Sequence, residues 1–179
     1  MSNLIEFMLE CSPLNLELFM INNLVLRRLR YALNLREDSM QALFLLAGHK
    51  IKPFSISCLL KKEDEEGYIE CTDVVLEKFL DGLIIDKRGV KEESAESTSV
   101  PSTERVRLNN NIILKKIRVA LELREEDMLE VMKLADFRVT KAELGALFRK
   151  RGSRNFKPCG DQFMRNFLTG LCLKFRPKD

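Results

Sequence analysis

An internal duplication limits what this 179-residue chain can fold into more than any other feature of its sequence. Shifting the chain by 88 residues aligns residues 22–88 with 110–176 without a gap, and about 21 of the 67 aligned positions are identical. Similarity at one fixed offset marks a repeated structural unit. The sequence therefore predicts an N-terminal extension at 1–19, a first repeat at 20–88, a flexible linker at 89–107 and a second repeat at 108–176.

Apolar residues recur at helical spacing throughout both repeats. In the first predicted helix Val25, Leu26 and Leu29 share a face, and Ile113 and Leu114 begin the matching face in the second copy. Three further helices follow in each copy. We predict an all-α fold of two tandem four-helix repeats. Because a unit of this size buries little surface alone, we expect the two repeats to pack together with pseudo-twofold symmetry.

Several helix boundaries are predicted by capping chemistry. The asparagines that open the first helix in both copies are expected to cap it. Thr140 and Glu143 form a capping box that makes Lys141 the first residue of the third helix, and the aligned residue Pro53 suits the same position. We expect Gly82 and Gly170, which lie inside apolar helices, to allow close helix packing rather than to line a binding pocket.

The composition argues against most catalytic and metal-binding sites. His49 is the only histidine, so histidine-rich metal sites and catalytic triads are not expected. The five cysteines show no C-x-x-C spacing and are typical of reduced thiols in a cytosolic protein. No run of 18 apolar residues exists that could span a membrane. We expect a cytoplasmic, non-enzymatic protein without a metal or cofactor and without a membrane partner.

The repeated segments also resemble a known bacterial family. The motifs that carry the resemblance are Asn22-Asn23, Leu26-Arg27, residues 30–33, 61–68, Cys71, residues 79–84, 87–89, 110–116, Asn155-Phe156, residues 159–163 and Phe167-Leu168. They are similar to the YehS-like proteins, in which a domain of unknown function occurs twice. The resemblance covers about residues 20–174. It implies the same helical duplication but no activity, cofactor or catalytic residue.

The chain departs from this family at its N-terminus. Members of the family would begin near Met20, whereas 19 residues precede it here and have no counterpart in the second repeat. Two interpretations stay open. Either these residues form an added helix with a small apolar face that includes Leu4, Ile5 and Met8, or Met20 is the true start.

A cysteine and an aspartate recur together at the predicted start of the fourth helix. Cys71 and Asp73 in the first repeat match Cys159 and Asp161 in the second. A functional interpretation brings the two aspartates together across the pseudo-twofold axis as a carboxylate pair for acid–base chemistry. The structural interpretation, which we favour, has each acid starting or capping its helix and each cysteine buried as a small apolar residue.

Basic residues supply the candidate binding site. Residues 1–99 hold 12 basic and 17 acidic residues, whereas residues 100–179 hold 18 and 10. The candidates on the first helices and on the loop after the third helix of the second repeat are Arg27, Arg30, Lys115, Arg118, Arg149, Lys150, Arg151 and Arg154. Since cations that neutralise phosphates release counterions, this set predicts binding of RNA or DNA, with Phe156 as a candidate stacking group.

An alternative partner is suggested by the matching loop of the first repeat. That loop is acidic, with Glu63, Asp64, Glu65 and Glu66 aligned to residues 151–154. Complementary loops predict that the chain binds itself or another protein. A third interpretation, solvated loops and ordinary amphipathic helices without a partner, also stays open.

Overall fold

The computed structural model describes residues 22–89 and 107–176. Within these two ranges the chain forms eight helices and no strand. The first repeat contains α1 (Asn22–Ala32), α2 (Glu37–Leu46), α3 (Pro53–Leu59) and α4 (Asp73–Arg88), and the second contains α5 (Asn110–Ala120), α6 (Glu125–Leu134), α7 (Lys141–Leu147) and α8 (Asp161–Phe175). The predicted pair of four-helix repeats is confirmed. The predictions for residues 1–19 and for nearly all of the linker fall outside the described ranges.

Two helix starts lie where capping chemistry predicted them. Helix α3 begins at Pro53, where the missing N–H of proline costs nothing. Helix α7 begins at Lys141, directly after Thr140. The Thr140 hydroxyl accepts the Glu143 N–H at 3.2 Å, and the Glu143 carboxylate accepts the Thr140 N–H at 3.0 Å. The hydrogen bonds that the Glu143 carboxylate accepts from the N–H and the hydroxyl of Thr140 favour its ionised form and so lower the pKa of Glu143.

The prediction that the aligned asparagine pairs cap the first helices was wrong. In the second repeat Asn109 is the cap, because its side chain accepts the Ile112 N–H at 3.0 Å. The aligned pairs, which begin at Asn22 and Asn110, already lie inside the first turn of α1 and α5. From there their side chains extend away from the helix and hydrogen-bond to a neighbouring loop.

Helices α1 and α5 end in the same C-terminal motif. The Leu35 N–H donates to the Arg30 carbonyl at 2.9 Å, with Asn34 between them in the left-handed conformation at φ 52°. In the second repeat Leu123 donates to Arg118 at 3.0 Å, and Glu122 also has φ 52°. This Schellman motif satisfies the last carbonyls of the helix. Glutamate is an unusual residue here, since the left-handed region costs a non-glycine residue roughly 1–2 kcal/mol.

The four longest helices, α1, α4, α5 and α8, run in one direction. At one end Asn22 of α1 binds Asp73 of α4, and Asp73 accepts the N–H of Leu108 just before α5. At the other end Arg88 of α4 approaches Glu122 after α5 at 3.7 Å. A twofold operation that preserves helix direction must have its axis along the helices. The pseudo-twofold axis therefore runs lengthwise through the molecule.

Each first helix packs most extensively against the last helix of the other repeat, α1 on α8 and α5 on α4. The buried apolar residues of both repeats consequently form one continuous core, in which Phe44, Phe79 and Phe167 are fully buried. Burying such a side chain contributes about 1.5–3 kcal/mol. Opposite charges add to one side of the interface, where the Lys116 ammonium lies 3.1 Å from Glu77 and also contacts Asp81.

The two helix glycines allow helices to touch backbone to backbone. A Cβ added at Gly82 would lie 1.8 Å from the Leu43 carbonyl oxygen of α2. A Cβ added at Gly170 would lie 1.9 Å from the Val131 carbonyl oxygen of α6. Atoms cannot approach this closely, so any side chain here pushes the helices apart. The predicted packing role of both glycines is confirmed.

We predict that Gly170→Ala lowers the free energy of unfolding by about 1–3 kcal/mol or more through overpacking. Gly145→Ala is the matched control, because Gly145 is also helical and an added Cβ would meet nothing within 4 Å. That control should instead raise stability by about 0.5–1 kcal/mol, since alanine favours helix. Urea denaturation followed by circular dichroism measures both changes. Equal effects of the two substitutions would contradict the packing explanation.

Candidate nucleic-acid interface

In the first repeat, Asn23 holds the loop between α3 and α4 against α1. Its side-chain amide donates to the carbonyls of Leu59 and Ile69 at 2.9 and 2.8 Å. Its side-chain oxygen accepts the Cys71 N–H at 2.8 Å and the Tyr68 hydroxyl at 3.1 Å. Asn23 is completely buried. One side chain thus fixes both ends of the loop.

Asn111 repeats this arrangement in the second repeat. Its amide donates to the carbonyls of Leu147 and Lys157 at 2.8 and 3.1 Å, and its oxygen accepts the Cys159 N–H at 2.9 Å. The loop is also tied to α7, since the Lys157 N–H donates to the Ala146 carbonyl at 3.1 Å. These bonds place the loop at 148–160 beside α5.

Helix α5 and the loop held beside it carry six of the eight candidate cations. They are Lys115, Arg118, Arg149, Lys150, Arg151 and Arg154, and we call them the basic surface. Lys115 and the four loop residues are exposed, and Arg118 is half-buried. Residues 149–157 contain no acidic residue, and Lys157, which was not among the candidates, adds a further exposed cation.

Arg118 connects helix α5 to the loop. Its guanidinium carbon lies 4.6 Å from the centre of the Phe148 ring, and its Nε donates to the Leu123 carbonyl at 3.1 Å. A guanidinium stacked on a ring keeps other N–H groups at its edge for further hydrogen bonds. Phe156, the predicted stacking residue, is half-buried in the same loop.

The other two candidates, Arg27 and Arg30, lie apart from the basic surface. Both are on α1, where Arg27 is half-buried and donates to the Lys61 carbonyl at 2.8 Å. Helix α1 is the pseudo-twofold equivalent of α5, and the axis runs along the helices. The two outer faces therefore point to opposite sides of the molecule. Arg27 and Arg30 therefore do not extend the basic surface, because positions related by a lengthwise twofold axis face opposite sides.

The acidic loop at 61–70 occupies the position in the first repeat that the basic loop occupies in the second. Residues Glu63, Asp64, Glu65 and Glu66 are exposed there. The Lys61 ammonium donates to the Glu66 carbonyl, and the Lys62 N–H donates to the Glu65 carboxylate. Part of the charge of this loop is therefore engaged in contacts within the loop. One scaffold thus displays two surfaces of opposite charge.

Asp73 and Asp161 each have a hydrogen-bond partner in their own repeat. Each begins its helix and accepts a hydrogen bond from the asparagine of its own repeat, at 2.9 Å from Asn22 and at 2.7 Å from Asn110. The N-cap positions of these helices are occupied by Thr72 and Gly160. Both aspartates are thus engaged in joining the start of the fourth helix to the first.

The adjacent cysteines are buried and poorly ionised. Burial, with a smaller effect from the neighbouring aspartate, raises the pKa of Cys71 and of Cys159 to about 12. Four thiols in the described ranges, including Cys58 and Cys172, are buried. These cysteines act as small apolar residues, as the structural interpretation held.

The described residues contain neither a metal-binding cluster nor a membrane-crossing helix. No group of three or more histidine, cysteine, aspartate or glutamate side chains within residues 22–89 and 107–176 is arranged to hold a metal ion. None of the helices in this part of the chain has the length and apolar character that crossing a membrane requires.

The sequence matches the family described as "Protein of unknown function (DUF1456)" twice, at residues 22–89 and 110–176. The chain belongs to this family. A curated relative, "Uncharacterized protein YehS" of Escherichia coli (strain K12), is 42% identical over 155 residues, which cover 87% of this chain and 96% of the relative. No solved structure matches the chain. The two family matches coincide with the two structural repeats, and the resemblance noted from the sequence is confirmed.

The role of the asparagine pairs was missed at the level of sequence. The signal was present, since both pairs are identical between repeats and both precede an identical cysteine by the same distance. Helix capping was the nearest local explanation. The true partners lie 36–51 residues further along the chain, beyond the range of local rules.

We predict that Asn111→Ala loosens the basic loop and lowers the free energy of unfolding by about 1–3 kcal/mol, because the Cys159 N–H and the loop carbonyls lose their partner. Asn109→Ala is the control. It removes the cap of the same helix, at a cost of about 1 kcal/mol, but no bond to the loop. Hydrogen–deuterium exchange should accelerate at Cys159 only in Asn111→Ala. Unchanged exchange there would contradict the anchoring role.

We also predict that the four described thiols resist modification in the folded chain. With a pKa of about 12, Cys71 and Cys159 are ionised to roughly one part in ten thousand at pH 8, and the thiolate is the reactive form. In a Cys11→Ser variant, a thiol-reactive chromogenic disulfide should detect almost no thiol before denaturation and four after it. Fast reaction of the native variant would show that these cysteines are accessible.

Proposed function

We propose that the protein is a non-catalytic binding protein whose basic surface holds the phosphate backbone of RNA or DNA. The observation that supports the proposal is that six cations lie on helix α5 and on the loop held beside it. Four of them lie on a loop that is anchored at both ends to Asn111. An anchored loop supports binding, because less conformational freedom is lost when the ligand docks.

The chemistry of the surface favours backbone contacts over base recognition. Arginine forms bidentate hydrogen bonds to phosphate, and Arg149, Arg151 and Arg154 are exposed to do so. Cationic contacts of this kind are insensitive to base sequence, and such binding is roughly micromolar at physiological salt. The half-buried Phe156 and the ring of Phe148, already covered by Arg118, offer little aromatic surface for reading bases.

The acidic loop of the first repeat supports a second candidate. If the basic surface of one molecule binds the acidic loop of another, the contact is heterologous, and copies join head to tail. The acidic and basic loops are related by the lengthwise axis and so face opposite sides. This arrangement suits open chains of molecules rather than a closed dimer.

We predict that short fluorescently labelled RNA and DNA single strands bind at low salt and that affinity falls steeply as salt is added. If four of the six cations engage phosphates, the slope of log K against log salt should be about −3, given roughly −0.7 per contact. Replacing Arg151 and Arg154 by glutamate, the charge present in the first repeat, should reduce binding below detection. Fluorescence anisotropy measures both.

The matched control is Lys50→Glu with Lys52→Glu. This pair makes the same change in net charge at exposed residues between α2 and α3 of the first repeat. The control should bind within about twofold of the unmodified chain, because a distant exposed charge is screened. Absence of binding at low salt rejects the nucleic-acid proposal. Loss of a concentration-dependent assembly in light scattering with Arg151→Glu and Arg154→Glu, without nucleic-acid binding, would favour self-association.

A further inference from the structure

A second potential site lies on the pseudo-twofold axis, remote from the loops. A pocket of about 420 Å³ opens where α1, α4, α5 and α8 end together. Its lining consists of four pairs related by the 88-residue offset, namely Ala32 with Ala120, Leu33 with Leu121, Asn34 with Glu122, and Lys87 with Phe175. The pocket is therefore a product of the duplication, since each repeat supplies half of its wall. Small-molecule sites are often found at such interfaces between units.

The floor and the two sides of the pocket differ in chemistry. Ala32 and Ala120 are buried, and Leu33 and Leu121 are half-buried, so the floor is apolar. On the α1–α8 side Phe175 keeps 41% of its surface exposed after folding. On the α4–α5 side the equivalent position is the exposed Lys87. A ligand would thus meet an aromatic ring at one end and an ammonium group at the other.

Most polar groups around the rim already have partners, and Lys87 is the donor best placed for a ligand. Glu122 is paired with Arg88 at 3.7 Å, and Arg176 donates to the Asn34 oxygen at 3.0 Å. Arg176 also stacks 4.8 Å above the centre of the Tyr31 ring. The Schellman bonds already occupy the last carbonyls of α1 and α5. Lys87 lies 3.4 Å from the carboxylate of its chain neighbour Asp86, and both side chains are about half exposed.

Two of the three described non-glycine residues with positive φ lie at this pocket. Asn34 and Glu122, both at φ 52°, form equivalent parts of the rim. Asparagine tolerates the left-handed region, whereas glutamate does not favour it. Retention of a strained residue on a pocket rim motivates a functional hypothesis.

We propose that this pocket binds a small amphipathic anion, an organic molecule with a flat or branched apolar body and one carboxylate, phosphate or similar group. The apolar body lies on Leu33, Leu121 and Phe175, and the anionic group accepts a hydrogen bond from Lys87. Such a ligand bridges both repeats. It is a different molecule from the polymer proposed for the basic surface, and the two sites share no residue.

Two fluorescent probes with nearly the same aromatic body test the proposal on the full chain. One is 1-anilinonaphthalene-8-sulfonate, an anion, and the other is N-phenyl-1-naphthylamine, which is neutral. The anionic probe should bind at a single saturable site. Lys87→Gln should weaken its binding roughly fivefold, as expected for a partly exposed ion pair, and leave the neutral probe unchanged. Lys50→Gln, at an exposed lysine outside the pocket, should alter neither.

Filling the pocket tests its location. Leu121→Trp and its equivalent Leu33→Trp each add an indole to the floor and should reduce binding of both probes at least tenfold. Circular dichroism verifies that each variant is folded, and either one suffices if the other is not. Phe54→Ala is the control for non-specific binding, because Phe54 is the most exposed large apolar side chain described, at 75%. The proposal is overturned if probe emission survives filling, follows Phe54→Ala, or responds to Lys87→Gln equally with both probes.

Discussion

The packing of each first helix on the last helix of the other repeat is the interaction on which the rest of the structure depends. Helix α1 lies on α8, and α5 lies on α4, so the two repeats share one core. A repeat of this size could bury only a limited apolar surface by itself. In this arrangement the four long helices run in one direction, and the pseudo-twofold axis lies along them. Both candidate sites follow from that geometry.

Beyond the core, both repeats hold the loop before the fourth helix with the same hydrogen bonds, but the two loops differ in surface charge. Asn23 and Asn111 hold their loops through equivalent carbonyls and through the N–H of an equivalent cysteine. Hydrogen bonds to backbone atoms do not depend on the side chains of the loop. One loop could therefore become acidic and the other basic without loss of the fold. Because backbone groups hold the loop while its side chains set the surface charge, one duplicated scaffold can present the proposed phosphate-binding face on one side only.

The axial pocket results from the same divergence at the other end of the helices. Pairs that lie near the floor stayed alike, with alanine matching alanine and leucine matching leucine. Pairs on the rim differ, since asparagine faces glutamate and lysine faces phenylalanine across the axis. The floor must fit the shared core and is constrained by packing. The rim is exposed to solvent, so its chemistry was free to change.

Much of the fold was determined by local features of the sequence. The 88-residue offset predicted the two repeats. Apolar spacing predicted the helices, and Thr140 and Pro53 predicted two helix starts, because these features depend on neighbours within a few residues. Gly82 and Gly170 indicated close packing, although only the structure identified the carbonyls of Leu43 and Val131 as the contacts.

Tertiary structure alone decided how the repeats are arranged. The identical asparagines could cap a helix or bind a distant loop, and the choice depends on backbone carbonyls 36–49 residues away. The eight cations could form one surface or two, and only the direction of the pseudo-twofold axis separates Arg27 and Arg30 from the others. Spacing along a chain specifies which residues share a helix face. It does not specify which helix that face will meet, since that is decided by the apolar surface that both repeats bury together.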